Sequence, residues 1–303
     1  MVFLSPSPMS QIEDRIAAER LAFHVEKSVM DQVAEEKITL PAMPRIASRA
    51  FTLLRKKDYS LSEVSALIET DPIVAARLVH LANSVAFATA TKLESVLACV
   101  TRLGTRELSF FLMETAAKQL TVCHDPRIAQ MCDGLWEHSL CVAIVAQDLS
   151  EELPGMDPEA AYLSGLLHDL GRPVVAEMLL EAERRLLGSR IDHWMLPSKW
   201  FDVIVRCERP VGLALTKAWT LPDTVVEAVS DCDRYEMNRP FRLANVVRMA
   251  NAIAGLTKHD LAASPLPQLV SVANEGSAIL GLEDHVLSRI VSQLPQKLTN
   301  RMG

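Results

Sequence analysis

The chain has 303 residues, 49% of them apolar and 23% charged, enough apolar material for one large domain or two lobes, so disorder is not the default. A formal charge of −7 and a pI near 5.7 argue against extended contact with phosphate backbones, and no nucleic-acid partner is expected. No apolar run approaches the roughly 18 residues of a spanning helix, and Met1–Ser10 lacks the basic start and apolar core of a secretory signal; the reading is cytoplasmic, with no membrane partner. Aromatics make up only 5% of the chain, and Gly and Pro act as punctuation, which favours an all-α fold.

From Ser10 to about Lys37, Ile12, Ile16, Leu21, Val25, Val29 and Val33 recur at helical spacing among charged residues. This predicts a long amphipathic helix over 11–37 that lies along the domain and buries Ile16, Val25 and Val29. Leu40-Pro41 and Pro44 then break the chain, because proline biases the residue before it away from helix. Helices are predicted at about 45–56, 61–69, 72–83, 93–120 and 126–152. The second half continues at about 158–170, 173–187, 197–206, 210–218, 222–231, 241–256, 266–280 and 284–299. Three Asp-Pro pairs, at Asp71, Asp125 and Asp157, mark helix starts, since aspartate caps free amides and proline tolerates the first helical position. Ser10-x-x-Glu13 and Ser60-x-x-Glu63 have capping-box spacing. The division read from the pattern is an N-terminal helix at 1–37, a helical domain at 38–240, and C-terminal helices at 241–303 that complete its lobe.

Six cysteines, Cys99, Cys123, Cys132, Cys141, Cys207 and Cys232, form no CxxC pair and read as buried thiols. Asn83-Ser84 reads as a turn ending its helix through left-handed geometry and local side-chain hydrogen bonds. Arg102, Arg106 and Arg172 stand singly among mixed charges and read as solvated arginines.

The chemistry-bearing stretch is Gly165-Leu-Leu-His168-Asp169-Leu-Gly171-Arg172, which follows Leu135-Trp136-Glu-His138-Ser139 by about thirty residues. His138 falls in the stripe Ile128, Met131, Leu135, His138, Val142, Val145, Leu149 and so points at the core. Ala161, Ser164, Gly165 and His168 share a face small enough for another helix to approach until two histidines meet. Asp169 lies about 100° further round, near a helix end that Gly171 terminates. Two histidines and an aspartate suit a divalent cation that would activate a water, and equally suit a metal-free hydrogen-bonded cluster.

Leu40-Pro41-x-x-Pro44, Glu69-Thr-Asp71-Pro72-x-x-x-x-Arg77-Leu78, Leu81-Ala82-Asn83-Ser84-x-x-Phe87, Leu103-Gly104, Leu135-Trp136-x-His138-Ser139, the His168-Asp169 segment and Trp219-x-Leu221-Pro222 occur in order over about 38–235. This set resembles the HDOD domain, a relative of the HD phosphohydrolases found in bacterial signalling proteins. The resemblance implies an all-α, two-lobed domain with a regulatory role through signalling-protein partners and no established catalysis. Resemblance to active HD enzymes would imply a metal-dependent phosphohydrolase of nucleotides or cyclic dinucleotides, with His138, His168 and Asp169 as ligands and Arg172 placed to meet a phosphate. A nucleotide-sensing module without hydrolysis is the third alternative.

The chain departs from the active pattern in three places. Cys207-Glu208-Arg209-Pro210-Val211-Gly212 stands where a histidine would precede Val-Gly, Cys232-Asp233 where a His-His pair would follow Trp-x-Leu-Pro, and Asn251 where a late helix would supply a ligand aspartate. Glu208 or Asp233 could take part in ligation, but the amide of Asn251 carries no negative charge. The expectation is a vestigial site at His138, His168 and Asp169, with no cofactor held. Oligomeric state is left open by the sequence.

Overall fold

The structure is a computed structural model that describes residues 8–54, 56, 58–87, 91–122, 125–132, 134–187, 197–259 and 266–302. Regular structure among these residues is entirely helical and is arranged around two apolar cores.

The smaller lobe contains α2 (Arg45–Leu54), α3 (Leu61–Ile68), α4 (Pro72–Ala82) and the first part of α5 (Val96–Thr121). Ile68, Leu78, Val100, Leu108 and Leu112 fill its core. Its helices begin where short polar side chains satisfy free amides: Ser60 accepts from Ser62, Asp71 from Ile73 and Val74, and Ser95 from Ala98. Asn83 departs from expectation, because its φ of −101° is not left-handed. Its side chain instead donates to the carbonyls of Val79 at 2.9 Å and Leu93 at 2.8 Å and accepts from the Leu93 amide at 2.8 Å. The turn role rests on those bonds, which pin the chain returning toward α5.

The predicted single helix over 93–120 is kinked at Gly104, whose φ of 73° and ψ of 177° suit a residue without Cβ. Beyond the kink α5 serves both lobes. Leu108, Phe111 and Leu112 stay in the small core, whereas Phe110, Met113, Ala116 and Ala117 enter the large one.

The larger lobe is built from α1 (Pro8–Ala34), α6 (Pro126–Cys132), α7 (Leu135–Glu151), α8 (Pro158–Leu167), α9 (Gly171–Leu187), α10 (Pro197–Ala218) and α11 (Asp223–Asp231). It is completed by α12 (Leu243–Ala254) with a following π-helical turn at Gly255–His259, α13 (Leu266–Leu280) and α14 (Asp284–Met302). α12 lies against α7 and α8, and α14 against α7, so the C-terminal helices share the lobe's core. Several helix boundaries differ from the sequence pattern, among them the start of α1, which begins at Pro8 ahead of the Ser10 capping box. The segment predicted as one helix over 126–152 is divided at Gly134, which takes a left-handed φ of 69°. In the other direction, α10 runs unbroken through Pro210, where a break was predicted; packing against α9 and α11 on its flanks outweighs the hydrogen bond that proline forfeits.

α1 lies along α10, with Ala22, Val25 and Val29 buried and a 2.8 Å ion pair between Glu26 and Arg206. Ile16, also predicted to be buried, has a side chain outside the described set. The Trp219 indole donates to the Pro41 carbonyl at 3.0 Å, tying the linker after α1 to the end of α10. Among the described residues no helix is long and apolar enough to cross a membrane.

Candidate metal centre

Close approach of two backbones makes the site. A Cβ on Gly165 would stand 2.9 Å from the Ala143 Cα and from the Val142 carbonyl oxygen, so α8 can lie this tightly on α7 only with glycine there. The contact brings the rings of His138 and His168 to a centroid separation of 5.5 Å. His138 is 2% exposed and His168 3%, as the inward stripe on α7 and the small-residue face of α8 predict.

His168 caps α8, and its Nδ1 lies 2.8 Å from the Gly165 carbonyl oxygen. A carbonyl only accepts, so Nδ1 must carry the proton of that bond, which leaves Nε2 facing the site. That nitrogen is buried, makes no hydrogen bond, and lies 3.2 Å from Asp169 Oδ2. His138 Nε2 is 3.9 Å from the same oxygen, and the three ligand-type atoms fall within 4.8 Å of one another.

Gly171 does not terminate the preceding helix, as predicted, but begins α9. A Cβ there would meet the Glu208 carbonyl oxygen at 1.7 Å and the Gly212 amide nitrogen at 2.7 Å, so the glycine is required by the contact between α9 and α10. That contact carries the main correction to the sequence reading. Arg172 is not a solvated arginine but is 5% exposed and turned inward. Its Nη2 lies 3.3 Å from Asp169 Oδ2, and its Nε donates to Glu208 Oε2 at 3.0 Å. Both carboxylates are thereby committed to one guanidinium.

The electrostatics follow from burial and neighbours. Burial would raise the Asp169 carboxyl, but His168 in its imidazolium form and the Arg172 guanidinium beside it hold it far below the usual carboxylate range. Glu208 moves the other way: burial and then the Asp169 charge push it up, opposed by Arg172. Burial would lower Arg172, yet Asp169 and Glu208 together raise it, so the guanidinium stays charged.

The remaining sequence candidates do not complete a ligand set. Asp233 is exposed. Cys232 Sγ accepts from Arg209 Nη1 at 2.9 Å, the same nitrogen that donates to the Val229 carbonyl, and burial pushes the thiol up. Asn251 stands half-buried on α12. Arg102 donates to the Phe87 carbonyl at 3.1 Å, and Arg106, 44% exposed, lies near Glu151 and Glu159. Cys99, Cys132, Cys141, Cys207 and Cys232 are free and buried as predicted, with burial pushing Cys141 up to about 12; Cys123 is outside the described residues.

The fit to a divalent cation is mixed in its parts and fails in the whole. His168 is posed as metal-bound histidines are, with its far nitrogen on a carbonyl and its near nitrogen free. The carboxylate oxygen that would join it is already paired with a permanent cation, and a divalent ion beside Arg172 would meet direct repulsion. With Arg172 in this position the three groups are a poor fit to a divalent cation. Sequence reasoning missed this arrangement, although Asp169 and Arg172 are three residues apart, the spacing at which side chains pair.

A family model described as the HDOD domain matches residues 40–235. Among solved structures, the chain is similar to a candidate metal-dependent phosphohydrolase from Shewanella amazonensis SB2B, with a TM-score of 0.71 and 20% identity over 93% of this chain and 99% of that one. It is also similar to an HDOD domain protein with unknown function from Geobacter sulfurreducens, with a TM-score of 0.58 and 22% identity over 93% and 96%. A candidate signal transduction protein from Marinobacter aquaeolei VT8 matches with a TM-score of 0.59 and 21% identity over 94% of this chain and 64% of that one. At these identities the likeness is one of fold. No curated protein matches the chain.

Proposed function

The chain belongs to the HDOD domain family, and from that premise we propose that it is a non-catalytic module for bacterial signal transduction that acts through contacts with signalling proteins. The observation that carries the reading is the position of Arg172. An HD-type hydrolase needs a metal-bound water near its aspartate, and here the Asp169 oxygen that faces both histidines has a guanidinium 3.3 Å away. The half-buried amide at Asn251 adds no charge to offset that loss. Shared fold with a candidate phosphohydrolase does not carry activity across, because the chemistry belongs to the site.

One observation favours a second reading, a metal-dependent phosphohydrolase of nucleotides or cyclic dinucleotides. The buried His168 Nε2 has no hydrogen-bond partner and faces Asp169, as a ligand nitrogen would. Elemental analysis of protein purified without chelator, combined with hydrolysis assays on a phosphodiester and on cyclic dinucleotides in Mn2+ and Mg2+, separates the two. The expected result is no stoichiometric divalent metal and no turnover. One equivalent of metal that survives dialysis, with activity abolished by His168→Ala, would establish the hydrolase instead.

A further inference from the structure

We infer that Arg172 is a built-in substitute for the divalent cation, and that His138, His168, Asp169 and Glu208 form a latent metal site which the guanidinium keeps closed. The inference rests on the non-catalytic reading above and goes beyond it by naming the residue that closes the site and the groups that would open with its removal.

Four features bear on it together. The guanidinium bridges two carboxylates, buried Asp169 after α8 and half-buried Glu208 on α10, which is the place a bridging cation would take. Asp169 Oδ2 is the meeting point of Arg172 Nη2 at 3.3 Å, His168 Nε2 at 3.2 Å and His138 Nε2 at 3.9 Å, so guanidinium and ligand nitrogens surround the same oxygen. His168 Nε2 is buried without a hydrogen-bond partner, a state that a bound cation would relieve. The scaffold under the histidines stands independently of Arg172: the Gly165 contact on Ala143 fixes the two helices that carry them, and the Gly171 contact on the Glu208 backbone sets where that residue leaves α10. Two imidazoles and two carboxylates are a donor set for a borderline divalent ion such as Zn2+ or Co2+.

Arg172 also supplies what a metal would supply to the fold. Without a cation, Asp169 and Glu208 would be two carboxylates facing each other in the interior, which buried groups avoid unless paired. The charge is intrinsic to the chain and needs no loading. In a protein that signals through its surface, that makes the folded state independent of metal supply.

Arg172→Met keeps the length and removes the charge, and Co2+ reports directly on a site of this kind through its visible d–d absorption. The expected result is that the wild-type protein takes up no Co2+ and melts at the same temperature with and without it. Arg172→Met should bind one Co2+ per chain, gain the absorption band and melt higher in its presence, and His168→Ala added to it should abolish all three effects. Because the variant leaves Asp169 and Glu208 without their guanidinium, refolding is compared with and without Co2+, and a chain that folds only with the metal supports the inference equally. Arg172→Lys, which retains a cation, should remain free of Co2+. A neutral variant that takes up no Co2+ under either refolding condition overturns the latent site while leaving the non-catalytic reading intact. Stoichiometric Co2+ on the wild-type protein, lost with His168→Ala, overturns both.

Discussion

Arg172 and Arg301, both largely shielded from solvent, each lie between a pair of carboxylates, and they keep different company. Arg301, from the last turn of α14, reaches Glu107 at 2.7 Å and Glu114 on α5, and its guanidinium lies over the rings of Phe110 and Tyr162. The Tyr162 hydroxyl donates to the same Glu114. Arg172 spans Asp169 and Glu208 in the same manner, but its neighbours are two histidines. The first cluster has no ligand-type nitrogen and explains itself as the bolt that fixes α14 to α5, where the lobes share a helix. A guanidinium between carboxylates is thus a structural device the two clusters share, and the histidine pair is the part of the second cluster that points to chemistry.

The largest effect is expected at the purely structural cluster. Arg301→Met leaves Glu114, 1% exposed, without its cation, and breaking a buried pair by removing one partner costs about 3–5 kcal/mol. Urea unfolding monitored by circular dichroism measures it. A midpoint equal to that of the wild-type protein would show that the last turn of α14 does not dock, and the comparison between the two arginines would collapse.

His138→Ala probes the other cluster while leaving Arg172, Asp169 and Glu208 in place. It leaves a void between α7 and α8 and removes a polar neighbour of Asp169, together worth on the order of 1–3 kcal/mol. Asp169→Asn should cost more than His138→Ala although it keeps the shape, because it removes the charge that pairs with buried Arg172. Thermal melts of the two variants side by side test the order. If His138→Ala proves the more damaging, packing rather than the carboxylate charge holds the cluster together.

The two clusters also differ in how far they could be read from the sequence. His138 lies in an apolar stripe and His168 beside small residues, so periodicity and composition alone placed both inward and near each other. The Arg301 cluster joins positions 187 and 194 residues apart, and nothing local in Glu107, Glu114 or the last turn of α14 signals the meeting. Arg172 lies between these cases. Its pairing with Asp169 is local, but the partner that buries it, Glu208, arrives only because Gly171 lets α10 close on α9. Helix ends show the same division. Asp71 and Asp157 cap helices where Asp-Pro predicts them, since a cap is decided within four residues. Gly134 divides a predicted helix and Pro210 fails to, because each outcome depends on neighbouring helices that local pattern does not contain.

The smallest effect is expected at an ion pair that has neither burial nor histidines. Glu26 on α1 and Arg206 on α10 lie 2.8 Å apart, yet their side chains are 27% and 52% exposed. Water and salt screen such a pair, and exposed pairs contribute about 0–1 kcal/mol. The docking of α1 must then come from Ala22, Val25 and Val29, which share a face and are buried against the lobe. A double-mutant cycle with Glu26→Gln and Arg206→Gln should give a coupling of at most about 1 kcal/mol that fades at high salt, with amide exchange in the second half of α1 unchanged. Val29→Asp should instead release that protection, because it places a charge in the buried face. A coupling as large as the Arg301 effect would mean that a surface ion pair, rather than the apolar face, holds α1 in place, and that exposure does not separate the strong guanidinium pairs of this molecule from the weak one.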